Sequence, residues 1–105
     1  MGRRHDLHDE LVSMGVKFGV KKVLFQPPPT VLMEYPAIVY TKKSTYTTNA
    51  DNKSYANTRF YQVTVIDPDP DTPLVDAILN QFQMIKHVNN FKANNLNHDV
   101  FDLYY

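Results

Sequence analysis

Asp67, Asp69 and Asp71 alternate with prolines in the stretch Ile66 to Pro73, IDPDPDTP, directly after the apolar run FYQVTV. Carboxylates at alternate positions can hold a cation, do acid–base work, or turn a chain. The three aspartates match positions 1, 3 and 5 of a calcium-binding EF-hand loop, which also needs Gly at position 6 and Glu at position 12. Thr72 and Ile78 stand there, so the match fails where the loop is most demanding. An acid–base pair needs a pocket and well-separated pKa values; an exposed, proline-stiffened turn offers neither. A structural role accounts for more of the residues. Pro68 and Pro70 stop a strand, Asp71 or Thr72 caps a helix by accepting its free N–H groups, Pro73 fits the first turn, and Asp76 adds favourable charge near the N-terminus. The stretch reads as a strand-to-helix turn.

His5 and His8, with Asp6, Asp9 and Glu10 close by, form a second constellation. It lacks the H-E-x-x-H spacing of zinc hydrolases, and a solvated first helical turn explains it. His98 and Asp99 are expected to order a hairpin turn. No G-x-S-x-G elbow, G-x-G-x-x-G run or P-loop is present, and three glycines leave little with which to cradle a phosphate. No catalytic residue, metal or cofactor is expected.

The elements that position these residues follow from periodicity. Leu7, Leu11, Met14 and Phe18 share one helical face; with Asp6, Asp9 and Glu10 at the start and Gly15 as a stop, a helix is expected over residues 5–14. Val23 to Phe25 suit a strand ended by Pro27, Pro28 and Pro29. YPAIVYT is apolar on both alternating faces and reads as a strand covered on both sides, with Pro36 at its start or on an edge. RFYQVTVI is the clearest strand, with Tyr61, Val63 and Val65 on one face and Phe60 and Ile66 on the other. Leu74, Ile78, Phe82 and Ile85 form a helical stripe. HVNNFKANNLNHDVFDLYY reads as a hairpin turning at Asn94, Asn95 and Asn97, with Phe101, Leu103 and Tyr105 on its inner face. The expectation is a single α+β domain over residues 1–105. It has one mostly antiparallel sheet of four to five strands, two helices packed on one face, and a long polar loop between two central strands.

Composition bounds the function. Hydrophobic residues make up 43% and charged residues 21%, which argues against wholesale disorder. Eleven basic residues balance eleven acidic ones, so no broad positive field favours nucleic acid or anionic lipid. Low colloidal repulsion suits a chain that assembles with copies of itself. The absence of cysteine excludes a disulfide scaffold and thiolate metal sites and fits a reducing compartment. No apolar run approaches the roughly 20 residues of a membrane span, and MGRRHDLHDE lacks the apolar core of a signal peptide.

The loop from Lys42 to Thr58, KKSTYTTNADNKSYANT, has no aliphatic residue larger than Ala. Loops of this length in small domains are functional or disordered. Tyr46 and Tyr55 sit where no core needs them; either they fold back onto the sheet, or they serve an interface, where Tyr is enriched. Three stretches, YPAIVYTKK, ADNKSYANTRFYQVTVIDPDPDTP and ANNLNHDVFDLYY, together resemble the small tail-completion, or tail-terminator-like, proteins of tailed bacteriophages and prophages of Gram-positive bacteria. The likeness covers Val23 to Tyr105.

The resemblance implies a non-enzymatic structural protein. Such proteins form a ring, typically hexameric, on the end of the tail tube; the ring stops tube polymerisation and provides the surface for head–tail joining. The implied partners are further copies of the chain, the tail tube protein and the head connector protein. The implied locations are the host cytoplasm during assembly and then the tail or neck of the virion. Within this reading Tyr46, Asn49, Asp51, Asn52, Lys53 and Tyr55 are the expected interface residues. The alternatives are a head–tail connector or neck component, an adaptor that binds by strand addition to a sheet edge, and a metal-binding module built on the histidines or aspartates.

Overall fold

The stripe of Leu7, Leu11 and Met14 becomes the buried face of helix α1 (Arg3–Lys17) in the computed structural model, which describes residues 3–43 and 60–105. The expected stop at Gly15 is corrected: the helix runs on to Lys17, and the left-handed residue that ends it is Gly19, at φ 74°. The Val20 N–H donates to the Gly15 carbonyl at 3.0 Å and the Gly19 N–H to the Val16 carbonyl at 3.4 Å. This is a Schellman closure, in which the first residues after the helix satisfy its last carbonyls. Gly15 serves packing instead. A Cβ built on it would lie 3.0 Å from the Val20 Cβ, because the closure folds Val20 back onto the helix. Phe18 falls beyond the last helical residue and is exposed, so it leaves the stripe.

Five strands follow around the second helix: β1 (Lys22–Phe25), β2 (Ala37–Lys42), β3 (Phe60–Asp67), α2 (Leu74–Gln81), β4 (Ile85–Ala93) and β5 (Leu96–Tyr104). They form one sheet in the order β1-β2-β3-β5-β4. β1 runs parallel to β2, and every other neighbouring pair is antiparallel. The fold is α+β, with two helices and a five-stranded, mostly antiparallel sheet.

Register places Ile38 beside Val65, Tyr40 beside Val63, Val63 beside Phe101 and Tyr61 beside Leu103. These residues line one face and form a single core with Leu7, Leu11 and Met14 of α1 and Leu74 and Ile78 of α2. The stripe of α2 is shorter than its sequence spacing implies. Phe82 is already extended, at φ −117° and ψ 148°, and Ile85 opens β4. Both still pack on the same core, so their spacing continues a helical pattern by coincidence.

Among the described residues the other face carries no helix. Ala37, Ile66 and Val100 are nevertheless buried on it, and Val39 is half-buried. At its β1 end the Lys22 Nζ donates to the Leu32 carbonyl at 2.7 Å, so the 26–36 segment returns over the sheet there. The hairpin turns through Asn94 and Asn95 at φ 55° and 62°, the paired left-handed geometry of a two-residue type I′ connection.

Candidate functional site

The aspartates of Ile66 to Pro73 are joined by the backbone they turn. Asp67 Oδ1 accepts the Asp69 N–H at 2.8 Å, and Asp69 Oδ1 accepts the Asp71 N–H at 2.9 Å. Each carboxylate serves the amide two residues on, as in Asx turns. Asp67 is buried, a correction to the expectation that all three are exposed. It ends β3 opposite Asn97, whose Nδ2 donates to the carbonyls of Asp67 at 3.2 Å and Pro68 at 3.1 Å. Asn97 therefore lies in β5 and braces the aspartate turn instead of belonging to the hairpin turn. Of the two capping candidates, Thr72 takes the role: its Oγ1 accepts the Leu74 N–H at 3.2 Å. Asp71 is exposed, and its own N–H is held by Asp69. Pro73, at φ −68°, stands just before α2, and its carbonyl accepts the Ala77 N–H at 3.0 Å.

The histidines are engaged separately. His8 Nδ1 lies 2.7 Å from the Tyr40 hydroxyl, while His5 is exposed. Burial raises the Tyr40 phenol above its ordinary range, with Arg4 opposing the shift. Arg4 also sits 4.4 Å over the Phe25 ring. His98 and Asp99 stand outside the two-residue turn, and of the two His98 reaches toward it, its Nδ1 lying 3.2 Å from the Leu96 carbonyl. They lie within β5, where His98 stacks on Phe91 at 4.7 Å and Asp99 Oδ1 meets His87 Nε2 at 3.1 Å. Both contacts tie β5 to β4. Among the described residues no three His, Asp or Glu side chains group closely enough to hold a metal ion.

Sequence periodicity missed the Glu10 clip. Glu10 accepts from Gln81 Nε2 at 2.9 Å and from the Tyr105 hydroxyl, so one carboxylate joins α1, the end of α2 and the residue after β5. Burial pushes the Tyr105 phenol up, and the hydrogen bond to Glu10 adds to the shift. Only tertiary contact reveals such a clip, because the partners are 71 and 95 residues from Glu10 along the chain.

The surface carries more than the interior. Val12, Val16 and Phe18 are exposed by 38%, 72% and 37%, the largest run of exposed apolar side chains on α1 and its closure. Val12 and Val16 border a groove of about 320 Å³ between α1 and β1, completed by Val20, Val23, Lys21 and Lys22. On the outer strand, β4 exposes Val88 and Phe91 but is interrupted by an irregularity between His87 and Asn89. Phe60 and Tyr104 stack at 4.9 Å at the root of the polar loop. The expected interface residues Tyr46, Asn49, Asp51, Asn52, Lys53 and Tyr55 lie outside the described residues.

Fold and surface together define a small α+β protein with exposed apolar side chains beside α1 and on β4. Comparison with protein-family models, curated proteins and solved structures gives no match to this chain. No helix among the described residues is long and apolar enough to cross a membrane.

Proposed function

We propose that this chain is a structural subunit of a bacteriophage tail. In this reading it forms a ring with copies of itself at the end of the tail tube, stops tube growth and presents the surface for head–tail joining. It acts without a cofactor and without catalysis. The reading starts from the resemblance of the three sequence stretches, and one structural observation supports it most.

The polar loop is rooted on the two strands best able to carry it. β2 and β3 lie inside the sheet, flanked by β1 and β5. Their pairing reaches Lys42 and Tyr61, and the Lys43 N–H donates to the Phe60 carbonyl at 2.8 Å beyond it. A loop mounted on central strands is held by the most buried part of the domain, the arrangement by which rigid scaffolds present binding segments. Tyr46 and Tyr55 would give contact area, and its Asn, Thr and Ser side chains hydrogen bonds.

Among the described residues β4 pairs on one side only, which favours a second reading, an adaptor that adds a partner strand. Its irregularity at Val88 and its lysines, Lys86 and Lys92, count against that reading, since bulges and lysines are devices that keep edges unpaired.

Deleting Ser44 to Tyr55 and bridging the gap with a short Gly/Ser linker tests the proposal. Surface loops tolerate length change, so the domain should keep its melting transition while tails grow to uncontrolled length or fail to join heads. Normal tails and infectious particles from the shortened chain would remove the loop from the mechanism.

A further inference from the structure

We propose that Gln26 is a positioning residue for the polar loop: its side-chain amide, set by a left-handed backbone, holds the last residue of β2 and so fixes how the loop leaves the sheet. The inference rests on the reading that this loop makes the contacts of assembly.

The backbone of Gln26 has no local reason for its shape. Positive φ is uncommon outside Gly, Asn, Asp and His. Among the described residues, Gly19 takes it to close α1, and Asn94 and Asn95 take it to turn the hairpin. Gln26, at φ 46°, does neither. It precedes Pro27, and a proline pushes the residue before it toward extended backbone. Gln26 is also exposed, so no core packing demands the geometry. Strained residues persist only where their surroundings over-determine them, and they cluster where function needs them.

Two hydrogen bonds do the holding. β1 and β2 run parallel up to Phe25 beside Tyr40, and the Gln26 N–H adds one more rung, to the Tyr40 carbonyl at 2.9 Å. In a parallel ladder the residue that donates there also accepts, through its own carbonyl, from the residue two further along the partner. That donor is the Lys42 N–H, and it goes to the side chain instead: Gln26 Oε1 accepts it at 3.1 Å. The chain continues into Pro27, Pro28 and Pro29, while the side chain stays behind in place of the strand.

The root of the loop is thereby gripped from both flanks. On the β1 side Gln26 holds Lys42. On the β3 side the Phe60 carbonyl accepts the Lys43 N–H at 2.8 Å, and Phe60 itself stacks on Tyr104 at 4.9 Å. A contact repeated around a closed ring must leave every subunit in the same direction, and a strand end held on both sides supplies that direction.

A cap that merely protects a strand end is the alternative, and the experiment separates the two. Three variants are compared in the full chain. Gln26→Gly accepts positive φ but has no acceptor. Gln26→Asn tolerates it too, with an oxygen one methylene short. Gln26→Glu keeps an oxygen at full reach. Hydrogen exchange read by NMR should show the Lys42 amide exchanging roughly tenfold faster in the Gly and Asn variants, about the worth of one hydrogen bond. Gln26→Glu should keep the wild-type rate. Melting curves should stay close to wild type throughout, because in the first two variants the strain relieved offsets the bond lost. With the Gly and Asn variants tails should grow to uncontrolled length or fail to join heads, whereas Gln26→Glu should support normal tails. An unchanged Lys42 rate in Gln26→Gly overturns the inference. So do normal tails from Gln26→Gly when deletion of Ser44 to Tyr55 abolishes them, since Gln26 is then a cap alone. Normal tails from that deletion as well would fault the assembly reading itself, and the inference with it.

Discussion

Gly15→Ala isolates the packing reason for a glycine inside a helix. On helix propensity alone the substitution should stabilise α1 by about 1 kcal/mol. The structure opposes that gain. The added Cβ would meet three atoms of Val20 at once, Cβ at 3.0 Å, Cγ2 at 3.3 Å and Cγ1 at 3.4 Å. A flexible side chain would swing aside, but Val20 is β-branched and its own N–H is tied to the Gly15 carbonyl at 3.0 Å. Overpacking of a site that cannot relax costs about 1–3 kcal/mol. The strain therefore outweighs the propensity, and a net loss of about 1 kcal/mol is expected. Chemical denaturation of Gly15→Ala, Val20→Ala and the double variant measures it. Val20→Ala removes the two methyls at 3.3 and 3.4 Å but keeps the Cβ at 3.0 Å, so the double variant should lose somewhat less stability than the two single losses added together, a coupling near the low end of about 0.5–3 kcal/mol. If Gly15→Ala alone gains the full propensity term, Val20 moves freely and the account of this helix end is wrong.

Four further outcomes follow from the same structure. Ile78→Ala, at a fully buried site in α2, should cost about 2–5 kcal/mol, and an unchanged melting temperature would misplace the core. Thr72→Ala should cost about 1 kcal/mol through the lost bond to the Leu74 N–H, with Asp71→Ala far milder in the same melt. Asp67→Asn with Asp69→Asn should leave function nearly intact, since each amide keeps an oxygen for the turn; titration calorimetry should find no tight calcium, magnesium or zinc site that this pair abolishes. Tyr105 holds its proton more tightly in the fold than the ordinary phenol at 10.0. The folded state then binds more protons above that value, so stability is fully present below about pH 10 and falls as pH rises further. Tyr105→Phe should shrink that alkaline loss in pH-dependent unfolding curves.

Local patterns carried much of the fold. Alternation from Phe60 to Ile66 marks β3 because a strand with distinct faces leaves that signature. Asn94 and Asn95 mark a turn because asparagine tolerates the left-handed geometry found there. The end of α1 was misread at Gly15 because a glycine needed for close approach looks the same in sequence as one needed for positive φ. Only the return of Val20 tells them apart. Phe82 and Ile85 continue the spacing of Leu74 and Ile78, yet a helix and the strand after it can feed one core without sharing a period. The placement of β5 between β3 and β4, and the parallel pairing of β1 with β2, depend on contacts distant in sequence.

The candidate site divides in the same way. The aspartate turn was legible because its bonds link residues two apart. The α1–β1 groove was not, because Val12 and Val16 gain meaning only beside β1. Nor was the Glu10 clip, whose three members lie in separate parts of the chain.

Electron microscopy of growing tail tubes mixed with the purified chain tests the central claim most directly. The account predicts a closed ring, six-fold if it follows the proteins it resembles, on one end of each tube, with growth arrested at that end. Tubes that lengthen unchecked and carry no cap in an excess of folded protein would contradict it.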